Sequence, residues 1–275
     1  TLFRLNLARA LLRSQQAERA IEHTRLILEQ EPGNLLARQF MGECLTQVGR
    51  HSEAASFMLD VPPGMKPSTE YLQILGNTLF SAQRYKEGIQ ILFDALSQDV
   101  THAMSHYRLG ICFNAVGMKA EAIECLTTAL TLGLDGGELA AQSLRVFISR
   151  ELCRWDEAAL EMEEVNQLLD ALTPDSVNWS SVFAAVTLSG DVGRQLRSAQ
   201  ACANFYAHGV KPFAPRAPRP LGQRLKVGMV SCDFHHHATT ILLAEVLEKL
   251  EPGRWHVRVE ACGYRPEVSV SERDG

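Results

Sequence analysis

The residues best suited to chemistry sit together near the end of the sequence, in Cys232-Asp233-Phe234-His235-His236-His237-Ala238-Thr239-Thr240. An imidazole titrates near neutral pH, so a histidine here can accept a hydroxyl proton or orient a substrate by hydrogen bonds. Cys232 with His235, His236 and His237 raises a second chemistry, metal binding. Neighbours on one loop rarely all point at one ion, and this spacing fits no standard zinc pattern, so no metal is expected.

Three elements must position that stretch. Leu225-Lys226-Val227-Gly228-Met229-Val230-Ser231 reads as a buried strand. From about Thr240 to Leu250, the residues Ile241, Leu242, Leu243, Val246, Leu247 and Leu250 trace one face of a helix. Trp255 to Ala261 alternates as a second strand. Strand, helix and strand in so short a span predict a βαβ unit and a parallel sheet. The histidine loop then lies at the carboxyl end of a strand, where ligands gather in open α/β sheets. It also leads into a helix N-terminus, where backbone N–H groups favour anions. No G-x-G-x-x-G follows the first strand, so an ordinary dinucleotide site is unsupported.

Upstream, the sequence repeats at a period of 34. Position 7 reads Leu7, Met41, Leu75, Leu109, and position 8 reads Ala8, Gly42, Gly76, Gly110. Position 11 reads Leu11, Leu45, Leu79, Phe113; position 20 reads Ala20, Ala54, Gly88, Ala122; position 24 reads Thr24, Met58, Leu92, Leu126. Small residues at positions 8 and 20 let two helices touch, and the large ones fill the remaining space. The hairpin turns recur as Gly49-Arg50-His51-Ser52-Glu53-Ala54, Gln83 to Gly88 and Gly117 to Ala122. Arg154-Trp155-Asp156-Glu157-Ala158 reads as a fifth, drifted copy, and Pro62-Pro63 is expected to stop the second helix of unit two early. The period and pattern resemble the tetratricopeptide repeat, or TPR. One such hairpin cannot bury its apolar face alone, so the units must stack into a curved array. Its inner groove is expected to be lined at position 5 by Leu5, Gln39, Gln73 and Tyr107, and at position 9 by Arg9, Glu43, Asn77 and Ile111. Such a groove either takes an extended peptide or is a plain solvated face.

The predicted organisation is repeats over 1–172, a helical junction with a proline-rich linker over 173–220, and the start of an α/β domain over 221–275. In the junction, Thr173-Pro174-Asp175-Ser176 reads as a turn opening a helix, and Ser189-Gly190-Asp191 as the cap of a helix of about Val192 to His208. Lys211 to Pro220 carries four prolines and reads as a stiff connector. Arg194, Arg197, Lys211, Arg216, Arg219, Arg224 and Lys226 fall in a stretch without acidic residues. They are read as a linker packed on its own acidic repeats rather than as a site for an anionic partner.

The whole sequence narrows the partners. Its 275 residues are 46% hydrophobic and 21% charged, a profile for soluble globular domains. A net charge of −5 gives no footprint for nucleic acid. No apolar run reaches the roughly 18 to 20 residues of a membrane helix. The seven cysteines are odd in number and never form a C-x-x-C pair, which predicts free thiols in a reducing cytoplasm.

The segment Leu225 to Leu243 resembles the start of the catalytic region of the O-GlcNAc transferase family, which includes the SPINDLY proteins. The resemblance rests on Val230, Ser231, Asp233, Phe234, His237 and Thr239. Gly263-Tyr264-Arg265-Pro266-Glu267 and Arg273 are similar to the family's segment after the second strand. The resemblance implies a mainly α chain, with a TPR superhelix followed by the beginning of a Rossmann-like domain of the GT-B type. It implies transfer of a sugar, usually from UDP-N-acetylglucosamine, to a protein Ser or Thr held by the repeats. The nucleotide sugar is then a donor substrate, and no cofactor is needed. By motif position, His237 is the catalytic candidate, with Asp233 and Thr239 as substrate-binding candidates. Ala238 replaces a common proline, and position 6 reads Asn6, Phe40, Ile74, Arg108 in place of the asparagine ladder of some relatives. On this resemblance, the chain is the front of a longer enzyme and does not catalyse alone. The competing reading is a non-catalytic repeat scaffold for protein partners.

Overall fold

A computed structural model of the chain describes residues 2–14, 16–178, 182–208, 210–211, 214, 225–231, 233–234, 237–250 and 255–261. It divides into two compact units, Thr1–Val210 and Lys211–Gly275. Among the described residues, no helix is long and apolar enough to cross a membrane.

The first unit is a stack of helical hairpins. They pair α1 (Leu2–Arg13) with α2 (Ala17–Gln30), α3 (Leu35–Gln47) with α4 (His51–Leu59), and α5 (Thr69–Ser81) with α6 (Tyr85–Gln98). The pairs α7 (Ala103–Ala115) with α8 (Lys119–Thr131) and α9 (Glu138–Glu151) with α10 (Trp155–Asp170) follow. Side-chain chemistry starts three of the first helices at repeating positions. Asn34, Ser68 and His102 cap α3, α5 and α7, each accepting from the backbone N–H three residues on. Such side-chain acceptors satisfy donors that a helix start leaves unpaired.

The turns inside the hairpins share one conformation. Gly49, Gln83, Gly117 and Cys153 all take positive φ, between +56° and +85°. The next residue then donates back into the first helix, as Arg50 N–H does to Leu45 O at 2.8 Å and Arg154 N–H to Ser149 O at 2.8 Å. The fifth hairpin is therefore a true copy. Its turn comes two residues late against the period, which is why its columns drift.

Packing explains the small residues at position 8. A Cβ on Gly76 would lie 2.6 Å from Leu92 Cδ2, and one on Gly110 would lie 2.9 Å from Leu126 Cγ. The first hairpin carries Ala8 and the smaller Thr24 at these two positions, both fully buried. Helix α4 ends at Leu59, ahead of Pro62-Pro63 as expected. Tyr71 Oη donates to Met58 O at 2.7 Å, which satisfies a carbonyl near that shortened end.

Stacking continues where the period fails. Helices α11 (Val182–Leu188) and α12 (Val192–Ala207) pack on α9 and α10. Ala185 and Leu188 join Leu139, Val146, Val165 and Leu169 in one core. Asp191 caps α12 as predicted, accepting from Arg194 N–H at 2.8 Å. Arg194 and Arg197 both pair with Asp170, at 2.6 and 2.7 Å, which ties two of the basic junction residues to the acidic repeats. Their guanidinium groups hold the Asp170 carboxyl below its usual range. The turn at Thr173–Ser176 forms, but the helix it was expected to open starts only at Val182. Asn204 Nδ2 donates to Pro174 O and Ser176 O, and Asn178 N–H donates to Ala201 O. Those bonds commit the segment's backbone to α12 instead. Most of the proline-rich connector, including Arg216 and Arg219, lies outside the described residues.

In the second unit, β1 (Leu225–Ser231) pairs in parallel with β2 (Trp255–Ala261), from Leu225 opposite Trp255 to Ser231 opposite Ala261. Helix α13 (Ala238–Glu248) lies between them in sequence. The parallel pairing matches the expected βαβ unit, but β1 is not a buried strand. Val227, Met229 and Ser231 are half-buried, and their alternating neighbours are exposed. Two strands and one short helix offer too little apolar area to close over each other.

Candidate functional site

The loop after β1 and the inner face of the helical stack are the two regions that the sequence marks out. In the loop, His237 is the N-cap of α13, with φ −140° and ψ 153°. Its Nδ1 accepts from Thr239 N–H at 3.2 Å and lies 3.1 Å from Thr239 Oγ1. An imidazole that accepts at Nδ1 carries its proton, when neutral, on Nε2. In this state Nε2 is a donor. Acting as a base at Nε2 would need the other tautomer and loss of the cap.

Asp233 is anchored through its backbone. Its N–H donates to Ser231 Oγ at 3.0 Å, and its carbonyl accepts from Thr240 Oγ1 at 2.6 Å. The structure thus places Asp233 after the carboxyl end of β1, tied through its carbonyl to Thr240, and His237 and Thr239 at the start of α13, bonded to each other. Cys232, His235 and His236 lie outside the described residues, as do Gly263 to Glu267 and Arg273. Among the described residues, no group of three or more His, Cys, Asp or Glu is placed to hold a metal ion.

In the helical stack, consecutive first helices pack on one another: α1 on α3, α3 on α5, and α5 on α7. They form the inner row. That tight packing buries Leu5, Gln39 and Tyr107, so position 5 falls between helices and does not line the groove as expected. Gln73 is half-buried. Position 9 does present side chains: Arg9 is exposed, and Glu43, Asn77 and Ile111 are half-buried.

Two bridges between neighbouring hairpins and one contact within α3 fix this row. The Arg9 guanidinium sits 4.9 Å from the centre of the Phe40 ring. Gln39 Nε2 donates to Glu43 Oε1 at 3.1 Å, and Arg108 donates to Asn77 Oδ1. Burial pushes the Glu43 carboxyl above its usual range, opposed by the Gln39 hydrogen bond and reinforced by Glu70. Burial also lowers the Arg108 guanidinium from its ordinary value. The row therefore offers one exposed cation, one carboxyl with weakened acidity, one fixed amide and one apolar side chain.

No protein-family profile matches the sequence, and no curated protein matches it. Solved structures do resemble it. MamA from Desulfovibrio magneticus RS-1, residues 41 to the end, superposes with a TM-score of 0.54 at 20% identity, over 60% of this chain and 93% of that one. A second MamA crystal structure gives 0.55 at 18% identity, over 60% and 90% of the two chains. The first unit is a TPR-type superhelix. YrrB, described as a TPR protein with an unusual peptide-binding site, gives a TM-score of 0.53 at 16% identity, over 72% of this chain and 90% of that one. At such identities the likeness concerns the fold of the TPR array.

Proposed function

We propose that the chain is a protein-interaction module whose TPR array receives an extended polypeptide along the inner faces of α1, α3, α5 and α7. The supporting observation is the row Arg9, Glu43, Asn77 and Ile111, one side chain from each successive hairpin, with Asn77 held in place by Arg108. An amide fixed in advance can pair with a peptide backbone at little entropic cost. The reading accords with YrrB, whose description assigns a peptide-binding site to the same kind of array.

Selection from a display library of random peptides tests it. Selected peptides are expected to bind the wild type and to lose roughly tenfold in affinity on Asn77→Ala, the scale of one or two lost hydrogen bonds. Peptides that bind Asn77→Ala and Arg9→Ala as well as the wild type would sink the reading.

A second reading keeps the glycosyltransferase resemblance, with the βαβ unit as the opening of a Rossmann-like domain. It is supported by the placement of Asp233 after the carboxyl end of β1 and of His237 and Thr239 at the start of α13. His237 would then act by positioning a substrate rather than as a base. Titration of the parent enzyme with UDP-N-acetylglucosamine tests it. Saturable binding that His237→Ala weakens is expected, and the absence of any binding by the parent enzyme removes this reading.

A further inference from the structure

The leading side of α1 departs from the rest of the array. At helical spacing, positions 3, 7 and 10 of a unit fall in one row. In the next three units that row is closed to solvent. Position 3 is Ala37, Tyr71 and Ser105, position 7 is Met41, Leu75 and Leu109, and all six are buried. Position 10, held by Cys44, Thr78 and Cys112, is buried as well. In α1 the row is Phe3, Leu7 and Ala10, and all three are exposed, Phe3 by 84%. An array end that meets only water carries a polar outer face. This one presents a phenylalanine and a leucine side by side, as interaction surfaces do.

The array itself shows what covers such a row. Met41 and Cys44 share a core with Ile21 of α2, Tyr71 and Leu75 with Met58 of α4, and Leu109 and Cys112 with Leu92 of α6. Tyr71 Oη also donates to Met58 O of α4 at 2.7 Å. In each case the cover is the second helix of the unit before, with apolar residues at position 21 or 24. Phe3 stands where Tyr71 does, and Leu7 where Leu75 does, so the shape that fits them is again a second helix.

Charge narrows the occupant. Helix α1 carries Arg4, Arg9 and Arg13 and no acidic residue. At helical spacing Arg4 and Arg13 fall on opposite sides of the exposed row. Each of α2, α4, α6, α8 and α10 has more Asp and Glu than Lys and Arg. Opposite charge across an interface steers encounter and rejects wrong partners. A second copy of this chain lacks that complement. Its last array helix, α12, carries Arg194 and Arg197, which share the one carboxylate of Asp170. Stacking α12 on α1, or α1 on α1, sets like charge against like.

We infer that the leading side of α1 is a docking surface for one more TPR hairpin, whose net-acidic second helix lies along Phe3, Leu7 and Ala10. The surface is separate from the inner groove and does not depend on it.

Fusing a copy of residues 69–102 ahead of Thr1 of the full chain tests this. The 34-residue period then sets the copied α6 before α1 as α6 stands before α7. The lengthened chain is expected to melt at least roughly 5 °C higher, and Phe3→Glu to remove most of that gain. In the chain without the addition, Phe3→Glu should move the melt by no more than about 2 °C, because the ring is exposed. Should the lengthened chain fail to fold, a peptide of residues 85–98 decides instead, held helical by a staple on its polar side and followed by fluorescence anisotropy. It is expected to bind the full chain. Phe3→Glu in the chain, or Glu87→Lys with Asp94→Lys in the peptide, should weaken binding at least roughly tenfold. Asn77→Ala should change neither readout, which separates this surface from the groove. A melting gain that survives Phe3→Glu, or equal binding of the acidic and the lysine-substituted peptides, would overturn the inference. So would a dimer of the full chain in sedimentation that Phe3→Glu dissolves, since the occupant would then be a second copy.

Discussion

In the helical array, Leu92, Leu126 and Val146 are fully shut off from solvent, whereas in the strand–helix–strand unit Val230, Ile241 and Leu242 are 64%, 62% and 75% exposed. Both regions carry the same kinds of residue at the spacing their elements require. The difference lies in layering. Each hairpin of the array is covered by the next, so its apolar stripe meets a second stripe of matching shape. The two-stranded sheet has a single short helix and no further layer among the described residues. Correct local pattern makes elements, but only stacking makes a core.

Separating the two regions tests this contrast most severely. Residues 1–210 alone are expected to keep their helical circular dichroism and a cooperative melt, while residues 211–275 alone show neither. A cooperative transition in the shorter fragment would break the comparison.

Charge pairs should divide in the same way. Arg145 and Glu161 are paired at 2.9 Å with little exposure, and Arg258 and Glu260 at 2.5 Å in full view of solvent. Arg145→Ala leaves a buried carboxylate unpaired and is expected to cost about 3 kcal/mol in urea unfolding. Arg258→Ala should change the result by less than about 0.5 kcal/mol.

Glycine offers a finer probe. Gly76→Ala drives a methyl into fully buried Leu92 and is expected to cost about 2 kcal/mol. A Cβ on Gly228 of β1 meets nothing within 4 Å, so Gly228→Ala should fall within about 0.5 kcal/mol of wild type. Equal losses at the two sites would mean that the sheet has a core after all.

The smallest effect is a gain. Gln83 holds φ +59° at a turn position where Gly49 and Gly117 stand in the neighbouring hairpins. Gln83→Gly relieves that left-handed strain and should raise stability by about 1 kcal/mol in thermal melts.

Much of this was legible because it repeats. Four copies of the position 8 and position 24 pair, without a gap, left little freedom in placing α1 to α8. Both strands of the second unit also fall where they were expected, although alternation marked only the second and the first was read as buried. The caps were harder to see, since Asn34, Ser68 and His102 share a position and a task but no side-chain type. The stacking of α11 and α12 on the array stayed hidden, although the cap at Asp191 marked α12, because these helices keep the stacking without keeping the columns. Position 5 was misread as groove lining, since burial between consecutive first helices depends on how closely they approach, which no single helix pattern reveals. His237 is the sharpest case at the site. A histidine beside a strand end reads as a candidate base, but a ring nitrogen can also close a helix, and only geometry tells the two apart.

Each helix of the array packs on helices that lie one or two places before or after it in the chain. Contacts so local close small loops, which makes folding fast. A hairpin needs only the next first helix to complete its surface, so the array can solidify behind the ribosome while later residues are still being added. Each finished hairpin is then the template on which the next one sets.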